Sequence, residues 1–227
     1  MSTEKKDRVS IITPEFRLSY PSLFAARKVN QNDPNEKAKF SAQMLFCTVE
    51  NEATKAAGMK CIATDPQWAK MKQAVMDLFA KNLGADWQSK LKMRKGDESL
   101  MYRSPFRDGN APEKREVEGY GPGIVFVTAS SLYKPGVIGP NKEEIINPQD
   151  IQGGFFARAE VHPYWYSTKG NQGVTFGLDN VQLIRVGKPF SGRKKAEEVF
   201  DAIDVPAGAA AGAGAAPAAS TGDPLLG

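Results

Sequence analysis

The sequence predicts a mainly β protein, and three features support that prediction. Short runs rich in β-branched and aromatic residues recur along most of the chain. Clusters of Gly, Pro, Asn and Asp separate these runs, as turns do between strands. Strong helical periodicity is confined to the segment between Asp65 and Gly84. With 227 residues, the chain is long enough for one sizeable core with appendages at its ends.

Two strands are predicted before the helix. Residues 9–20 (VSIITPEFRLSY) form the first, in which Pro14 requires an edge position or a bulge. Residues 21–24 are expected to turn the chain out of this strand. Residues 39–49 (KFSAQMLFCTV) form the second strand. Four of its apolar residues lie on one face: Phe40, Ala42, Met44 and Phe46.

The helix is delimited by the signals at its ends. Asp65 can cap its N-terminus, Pro66 fits its first turn and Gly84 fits its C-terminal stop. Between them, apolar residues recur at steps of three and four: Trp68, Met71, Val75, Leu78, Phe79 and Leu83. This stripe is expected to pack on the sheet as part of the core.

A long irregular segment, residues 86–122, follows the helix, and loops of this length are usually functional or disordered. Its first half interleaves cations with aromatic rings. The cations are Lys90, Lys92, Arg94, Lys95, Arg103 and Arg107, and the rings are Trp87, Tyr102 and Phe106. A solvated run of charges is one interpretation. The rings among the charges favour the other interpretation, a surface that binds nucleic acid.

The second half of the chain is predicted to hold a core strand and a hairpin. Residues 124–131 (IVFVTASS) form the core strand. Residues 132–140 then turn and extend, which places Lys134 beside Tyr133. Residues 153–186 form a β-hairpin, in which two apolar runs flank a polar turn with two glycines.

The first strand of this hairpin has two different faces. One face is small and apolar and suits a core: Phe155, Ala157, Ala159 and Val161. The other is aromatic and charged: Phe156, Arg158, Glu160, His162, Tyr164 and Tyr166. By the same alternation, Trp165 lies on the core-facing side of the strand unless a bulge at Pro163 shifts the register. The second face suits single-stranded nucleic acid, whose bases stack on rings while cations contact phosphates. Alternatively, its rings cover a second hydrophobic layer.

Composition argues against several other classes of protein. The hydrophobic content of 41% and the charged content of 25% are ordinary for a globular protein in water. No apolar run approaches the roughly 20 residues that cross a bilayer, and the charged N-terminus lacks the apolar segment of a secretory signal, so a cytoplasmic protein is expected. Cys47 and Cys61 fit no zinc pattern and His162 is the single histidine, so neither a metal nor another cofactor is expected.

The net charge of +4 is unevenly distributed. After Lys195 there is no Lys or Arg, and five acidic residues give that segment −5, which leaves +9 on residues 1–195. A basic body indicates a polyanionic partner, and an acidic tail can compete for the same surface.

These elements predict a domain organisation. Residues 1–8 form a flexible N-terminus, and residues 9–192 form one domain that includes the long loop 86–122. Residues 193–204 are predicted to hold a short helix, and the Ala-, Gly- and Pro-rich residues 205–227 a disordered tail. At least five strands with one helix suit a small barrel of the oligonucleotide-binding (OB) kind or, alternatively, a sandwich.

Six motifs carry a family resemblance. In order they are residues 17–24 (RLSYPSLF), Arg107-Asp108-Gly109, Phe126 with Ala129-Ser130-Ser131, Lys134-Pro135-Gly136-Val137, Gly154-Phe155 through Arg158-Ala159, and Gly173-Val174 through Gly177-Leu178-Asp179-Asn180-Val181-Gln182. Over roughly residues 9–192, the sequence resembles the single-stranded DNA-binding proteins of tailed phages. The resemblance implies an OB-fold core, sequence-independent binding of single-stranded DNA, a role in phage DNA replication and recombination, and no enzymatic activity.

The resemblance also implies roles for particular residues. Arg107 and Lys134 become phosphate partners, Arg158 and Tyr164 become groove residues, and the segment 17–21 is assigned to structure. Together with the two basic and aromatic patches, this gives a predicted DNA-binding site: Lys92, Arg94, Tyr102, Arg103, Phe106, Arg107, Lys134, Arg158, Tyr164 and Tyr166. The rival prediction is a structural or protein-interaction module that binds no nucleic acid. A nuclease is disfavoured because no cluster of carboxylates is apparent.

The predicted partners are single-stranded DNA, phage replication or recombination proteins that contact the C-terminal tail, and further copies of this chain. The tail ends Asp223-Pro224-Leu225-Leu226-Gly227. It lacks the strongly acidic, aromatic-terminated end by which many replicative single-stranded DNA-binding proteins recruit partners, which weakens the case for recruitment through the tail.

Overall fold

The computed structural model describes residues 9–28, 30–92, 102–168 and 171–190. The predicted flexible N-terminus, and the short helix and tail predicted beyond residue 192, lie outside these ranges, as do the partner contacts expected of the tail. Among the described residues the elements are β1 (Ile11–Ile12), β2 (Phe16–Arg27), β3 (Lys39–Cys47), α1 (Glu52–Ala56), α2 (Pro66–Leu83), α3 (Trp87–Lys92), β4 (Tyr102–Arg103), β5 (Arg107–Asp108), β6 (Ile124–Ser131), β7 (Gly136–Ile138), β8 (Phe156–Thr168) and β9 (Asn171–Arg185).

Five of the strands close into a ring in the order β2-β3-β6-β9-β8. The neighbours β2–β3, β3–β6 and β9–β8 are antiparallel over long stretches. Two short pairings complete the ring, the parallel pair Ala129↔Phe176 and the antiparallel pair Phe16↔Ala157. A small five-stranded barrel of this kind is the architecture of the OB-fold, so the barrel prediction is confirmed over the sandwich alternative. The prediction of one helix was wrong, because α1 and α3 are also helical.

The helix α2 has the predicted bounds. The Asp65 side chain accepts a hydrogen bond from the Gln67 amide at 2.7 Å, and Gly84 is the C-cap. Trp68 packs on Phe46 with their ring centroids 5.1 Å apart, so the apolar stripe covers the barrel interior as expected. Each large apolar side chain buried in this way contributes about 1.5–3 kcal/mol.

The first predicted strand differs from the observed one at its two prolines. Pro14 lies between β1 and β2, so it divides the predicted strand. Residues 21–24 do not turn the chain away. Instead, β2 continues through Pro21 to Arg27 with a register shift between Ser19 and Ser22. A bulge accommodates a proline inside a strand because the ladder is already interrupted there.

The hairpin of β8 and β9 confirms most of the predicted face assignment. Ala157, Ala159 and Val161 are buried in the main core, and Trp165 packs against that core with no register shift at Pro163. Phe156 is a correction, since it is 2% exposed rather than on a wet face. It belongs to a second apolar cluster outside the barrel, with Leu45, Cys47, Met59, Ile124 and Phe126.

None of the described helices is long and apolar enough to cross a membrane.

Candidate functional site

Alternation along the strands of the ring gives the barrel an outer face. Thr128 and Ser130 of β6 point away from the core because their neighbours Val127 and Ala129 are buried in it. On β8 the outward residues near the hairpin turn are His162, Tyr164 and Tyr166. We call the outward surface of β3, β6, β8 and β9 the outer face.

A cleft of about 360 Å³ lies on the outer face. Its lining residues are Lys39, Arg103, Ser104, Pro105, Arg107, Thr128, Ser130, Tyr164, Tyr166, Thr168, Val174 and Thr175. Three of them are cations, two are tyrosines and none is a carboxylate. We call it the cationic cleft. Its composition suits an anion that also carries flat apolar groups.

Two short strands hold the arginines of this cleft. Arg103 on β4 pairs with Gly173 of β9, where a side chain on the glycine would overlap the β4 backbone. Arg107 on β5 pairs with Phe126 of β6, and its guanidinium carbon lies 5.6 Å from the Phe126 ring centroid. Both arginines are exposed, and neither side chain forms a hydrogen bond or ion pair with another described residue. Their donors are therefore available to a ligand.

A histidine–aspartate pair supports the tyrosine on the other side of the cleft. His162 Nδ1 lies 2.7 Å from Asp179 Oδ2, and its ring stacks on Tyr164 with centroids 5.8 Å apart and planes at 26°. Asp179 is the extra residue of a bulge in β9, between Glu160↔Asn180 and Val161↔Leu178. The imidazole lies over Gly177, where any Cβ would overlap it. These contacts fix the orientation of the Tyr164 ring.

A second cleft of about 450 Å³ adjoins the first. It is lined by Ser130, Ser131, Leu132, Tyr133, Lys134, His162, Tyr164, Gly177, Leu178 and Asp179. We call it the His162 cleft. Ser130 and Tyr164 line both clefts, so the two form one continuous groove. Tyr133 is 83% exposed at its edge and offers a further free ring.

Burial raises the pKa of Tyr164 above its ordinary value, and the neighbouring Tyr166 adds to the effect. An ordinary tyrosine is already neutral at physiological pH, so the shift leaves the charge of the groove unchanged.

The structure brings together five of the residues predicted for the site. Arg103, Arg107, Tyr164 and Tyr166 line the cationic cleft, and Lys134 lines the His162 cleft.

The other predicted residues lie elsewhere. Tyr102 packs on Trp165 with centroids 6.1 Å apart, and Phe106 contacts both Trp68 and Phe176 at 5.0 and 6.2 Å, so both rings pack against the core. Arg158 lies in a separate hollow and donates to Gln182 Oε1 at 2.9 Å. Arg94 and the side chain of Lys92 lie outside the described residues.

The predicted site omitted several residues that line the groove, among them Lys39, Thr128, Ser130, Tyr133 and His162, although His162 was placed on the aromatic and charged face of the hairpin. Alternation along the correctly predicted strand 124–131 was a usable signal for Thr128 and Ser130. No local signal marks Lys39, because it reaches the cleft only through the long-range pairing of β3 with β6.

No group of three or more His, Cys, Asp or Glu side chains that could hold a metal ion occurs among the described residues.

Comparison with known proteins decides the family. The family model described as "Enterobacter phage Enc34, ssDNA-binding protein" matches residues 9–210. The chain belongs to this family of phage single-stranded DNA-binding proteins. The search of curated proteins found no match.

Solved structures of family members show the same fold. The C-terminally truncated single-stranded DNA-binding protein of bacteriophage Enc34 is 18% identical, with a TM-score of 0.55 over 80% of this chain and 88% of that one. The Enc34 protein in complex with single-stranded DNA is also 18% identical, with a TM-score of 0.53 over 80% of this chain and 89% of that one. At this sequence identity, the structural similarity shows a shared barrel fold but does not show which residues contact DNA.

Proposed function

We propose that this protein coats and protects single-stranded DNA during phage DNA replication and recombination, and that the strand lies along the cationic and His162 clefts. The observation that carries this proposal is the continuous groove, which combines exposed cations with tyrosine rings and has no carboxylate among the residues that line the cationic cleft. Family membership supports the same ligand.

Phosphates are contacted by the cations that line the groove. Arg103 and Arg107 present free guanidinium donors, and Lys39 and Lys134 add charge on either side. Each neutralised phosphate steepens the dependence of log affinity on log salt by about 0.7 for single strands. Lys92 and Arg94 remain candidate phosphate partners because they precede β4 in the sequence.

Bases stack on Tyr164 and Tyr166, and stacking contributes about 1–3 kcal/mol per base. Stacking uses the faces of a base and not its edges, so the proposed mode is independent of sequence. A duplex binds weakly in this mode because its base faces are already stacked on one another. Tyr102 and Phe106 support the groove from the core side and do not stack on bases.

The test is fluorescence anisotropy of end-labelled oligo-dT over a salt series, with a duplex of equal length as control. The label belongs on the DNA because Trp68 is buried and Trp87 and Trp165 pack against the core, where they report poorly on ligands. With four cations in the groove, the log–log slope is expected to be at least as steep as about −3. Equal affinity for duplex, or no binding at low salt, would contradict the proposal.

A further inference from the structure

A second group of rings and charge lies beside the outer face, beyond the cationic cleft. It consists of Tyr20 on β2, Lys114 at the end of the 3₁₀ turn Pro112–Lys114, and Tyr120. Tyr20 is 59% exposed, which is unusual for a large ring inside a strand of the barrel. None of these residues lines the two clefts described above.

The backbone holds Tyr20 in an uncommon conformation. Its φ is +43°, in the left-handed region that a residue other than glycine adopts rarely. Between the pairs Ser19↔Gln43 and Ser22↔Ser41, β2 has two residues where β3 has one. This bulge gives Tyr20 its exposed position. A strained residue that persists at an exposed aromatic position indicates a function for that ring.

Lys114 supplies a cation beside this ring. Its Nζ lies 6.0 Å from the Tyr20 ring centroid and 5.0 Å from that of Tyr120. Lys114 forms no ion pair with another residue that the structure describes. The Tyr120 hydroxyl lies 2.5 Å from Gln43 Oε1 and 3.2 Å from Ser19 Oγ, so hydrogen bonds to β2 and β3 hold the Tyr120 ring in place.

The cluster is continuous with the cationic cleft through one ring. Phe126 is contacted by Lys114 at 5.3 Å and by Arg107 at 5.6 Å from its centroid. Along β6, Phe126, Thr128 and Ser130 point away from the barrel interior at steps of roughly 7 Å, and Phe126 itself is buried, with Arg107 and Lys114 against its ring. A strand leaving the cleft past Arg107 therefore meets Lys114 and Tyr20 next.

We infer that Tyr20 and Lys114 form an additional subsite for one nucleotide of single-stranded DNA, in which the base stacks on Tyr20 and a phosphate contacts Lys114. We call it the Tyr20–Lys114 subsite. This inference rests on the proposed function, because it extends the same DNA path. It also gives Tyr20, within the segment 17–21, a binding role in addition to the structural role expected of that segment from the sequence.

The experiment measures affinity for oligo-dT of 4 to 20 nucleotides, which spans the roughly 4–16 nucleotides bound per OB-fold. The variants are Tyr20→Asn, because Asn tolerates positive φ, and Lys114→Gln. Lys72→Gln is the matched control, since Lys72 is exposed on α2 outside the groove. Thermal unfolding of each variant checks that the fold is retained.

Tyr20→Asn is expected to weaken binding of long oligonucleotides about 5- to 150-fold and to leave the shortest bound oligonucleotide unaffected. Lys114→Gln is expected to make the salt slope shallower by about 0.7. The Lys72→Gln control is expected to match wild type.

Two results would overturn the inference. If both variants bind long oligonucleotides as wild type does while Arg107→Ala binds them more weakly, the DNA path ends at Arg107 and only the subsite is refuted. If the wild-type protein itself binds no oligonucleotide, the proposed function fails and the subsite fails with it.

Discussion

Arginines lie beside aromatic rings in two regions of this molecule, but only one region presents them to a ligand. In the first, Arg17 and Arg185 surround Phe156 and Phe190, with guanidinium carbons as close as 3.4 and 4.2 Å to the ring centroids. In the second, Arg103 and Arg107 border the cationic cleft near Tyr164. Both regions therefore combine guanidinium groups with aromatic rings.

The difference lies in the hydrogen bonds of the guanidinium groups. Arg17 donates to the carbonyls of Gly154 at 3.0 Å and Lys188 at 2.8 Å, and it is only 5% exposed. Arg185 donates to Glu15 and to the Gly58 carbonyl, both at 2.7 Å. These guanidinium donors are therefore already hydrogen-bonded within the protein. A basic and aromatic pattern therefore indicates binding only where the guanidinium donors remain unpaired.

The largest effect is expected where the arginine is buried. Arg17→Ala leaves two carbonyls without their donor, so the free energy of unfolding should fall by about 2–4 kcal/mol, measured by urea denaturation. Arg17→Lys is the matched variant and should lose less, because a lysine reaches one carbonyl but cannot span both as the planar guanidinium does. An unchanged unfolding midpoint for Arg17→Ala would show that Arg17 does not stabilise the fold, and the two regions would then not differ in the role of their arginines.

In the groove, the largest effect is expected at the ring that His162 orients. Tyr164→Ala should weaken binding of oligo-dT by about 1–3 kcal/mol, measured by anisotropy at fixed salt, because one stacked base loses its platform. Tyr164→Phe keeps the ring and should bind as wild type does. If the Phe variant is as weak as the Ala variant, the hydroxyl rather than the ring makes the contact.

A smaller effect is expected at the exposed arginine. Arg107→Ala should reduce affinity roughly fivefold, about 1 kcal/mol for an exposed ion pair, and make the salt slope shallower by about 0.7. Its unfolding free energy should change by less than about 0.5 kcal/mol, in contrast to that of Arg17→Ala. A loss of stability without a change in slope would place Arg107 with the structural arginines.

The smallest effect is expected at Arg158. This residue was predicted as a groove residue, but its guanidinium donates to Gln182 in a hollow apart from both clefts. Arg158→Ala should bind oligo-dT within error of wild type and show an unchanged salt slope. A slope change equal to that of Arg107→Ala would mean that the DNA path extends along β8 toward this hollow.

Local signals predicted the elements whose ends are fixed by nearby residues. Asp65 and Gly84 gave the bounds of α2, and alternation gave β6 and the hairpin. Local signals failed at Pro21, because the pairing of β2 with β3 outweighs the turn preference of a proline and absorbs it in a bulge.

Only part of the candidate site could be predicted, because the burial or exposure of each face of a strand depends on the other elements that pack against it. The aromatic face of β8 is divided between two environments. Phe156 lies in a second hydrophobic layer because α1 and the ends of β3 and β6 bring Met59, Cys47 and Ile124 over it. Tyr164 and Tyr166 remain accessible from the cleft, because β4 and β5 run beside these rings rather than over them. The sequence of β8 alone does not contain that distinction.

Photocrosslinking with an oligonucleotide that carries 5-bromodeoxyuridine tests most directly which region binds DNA. Tryptic cleavage after Arg158 divides β8, so Phe156 falls in peptide 143–158 whereas Tyr164 and Tyr166 fall in peptide 159–169. If the groove binds DNA, crosslinks are expected in peptide 159–169, and salt and unlabelled oligo-dT are expected to suppress them. Crosslinks confined to peptide 143–158, or to the peptide that carries Phe190, would contradict it.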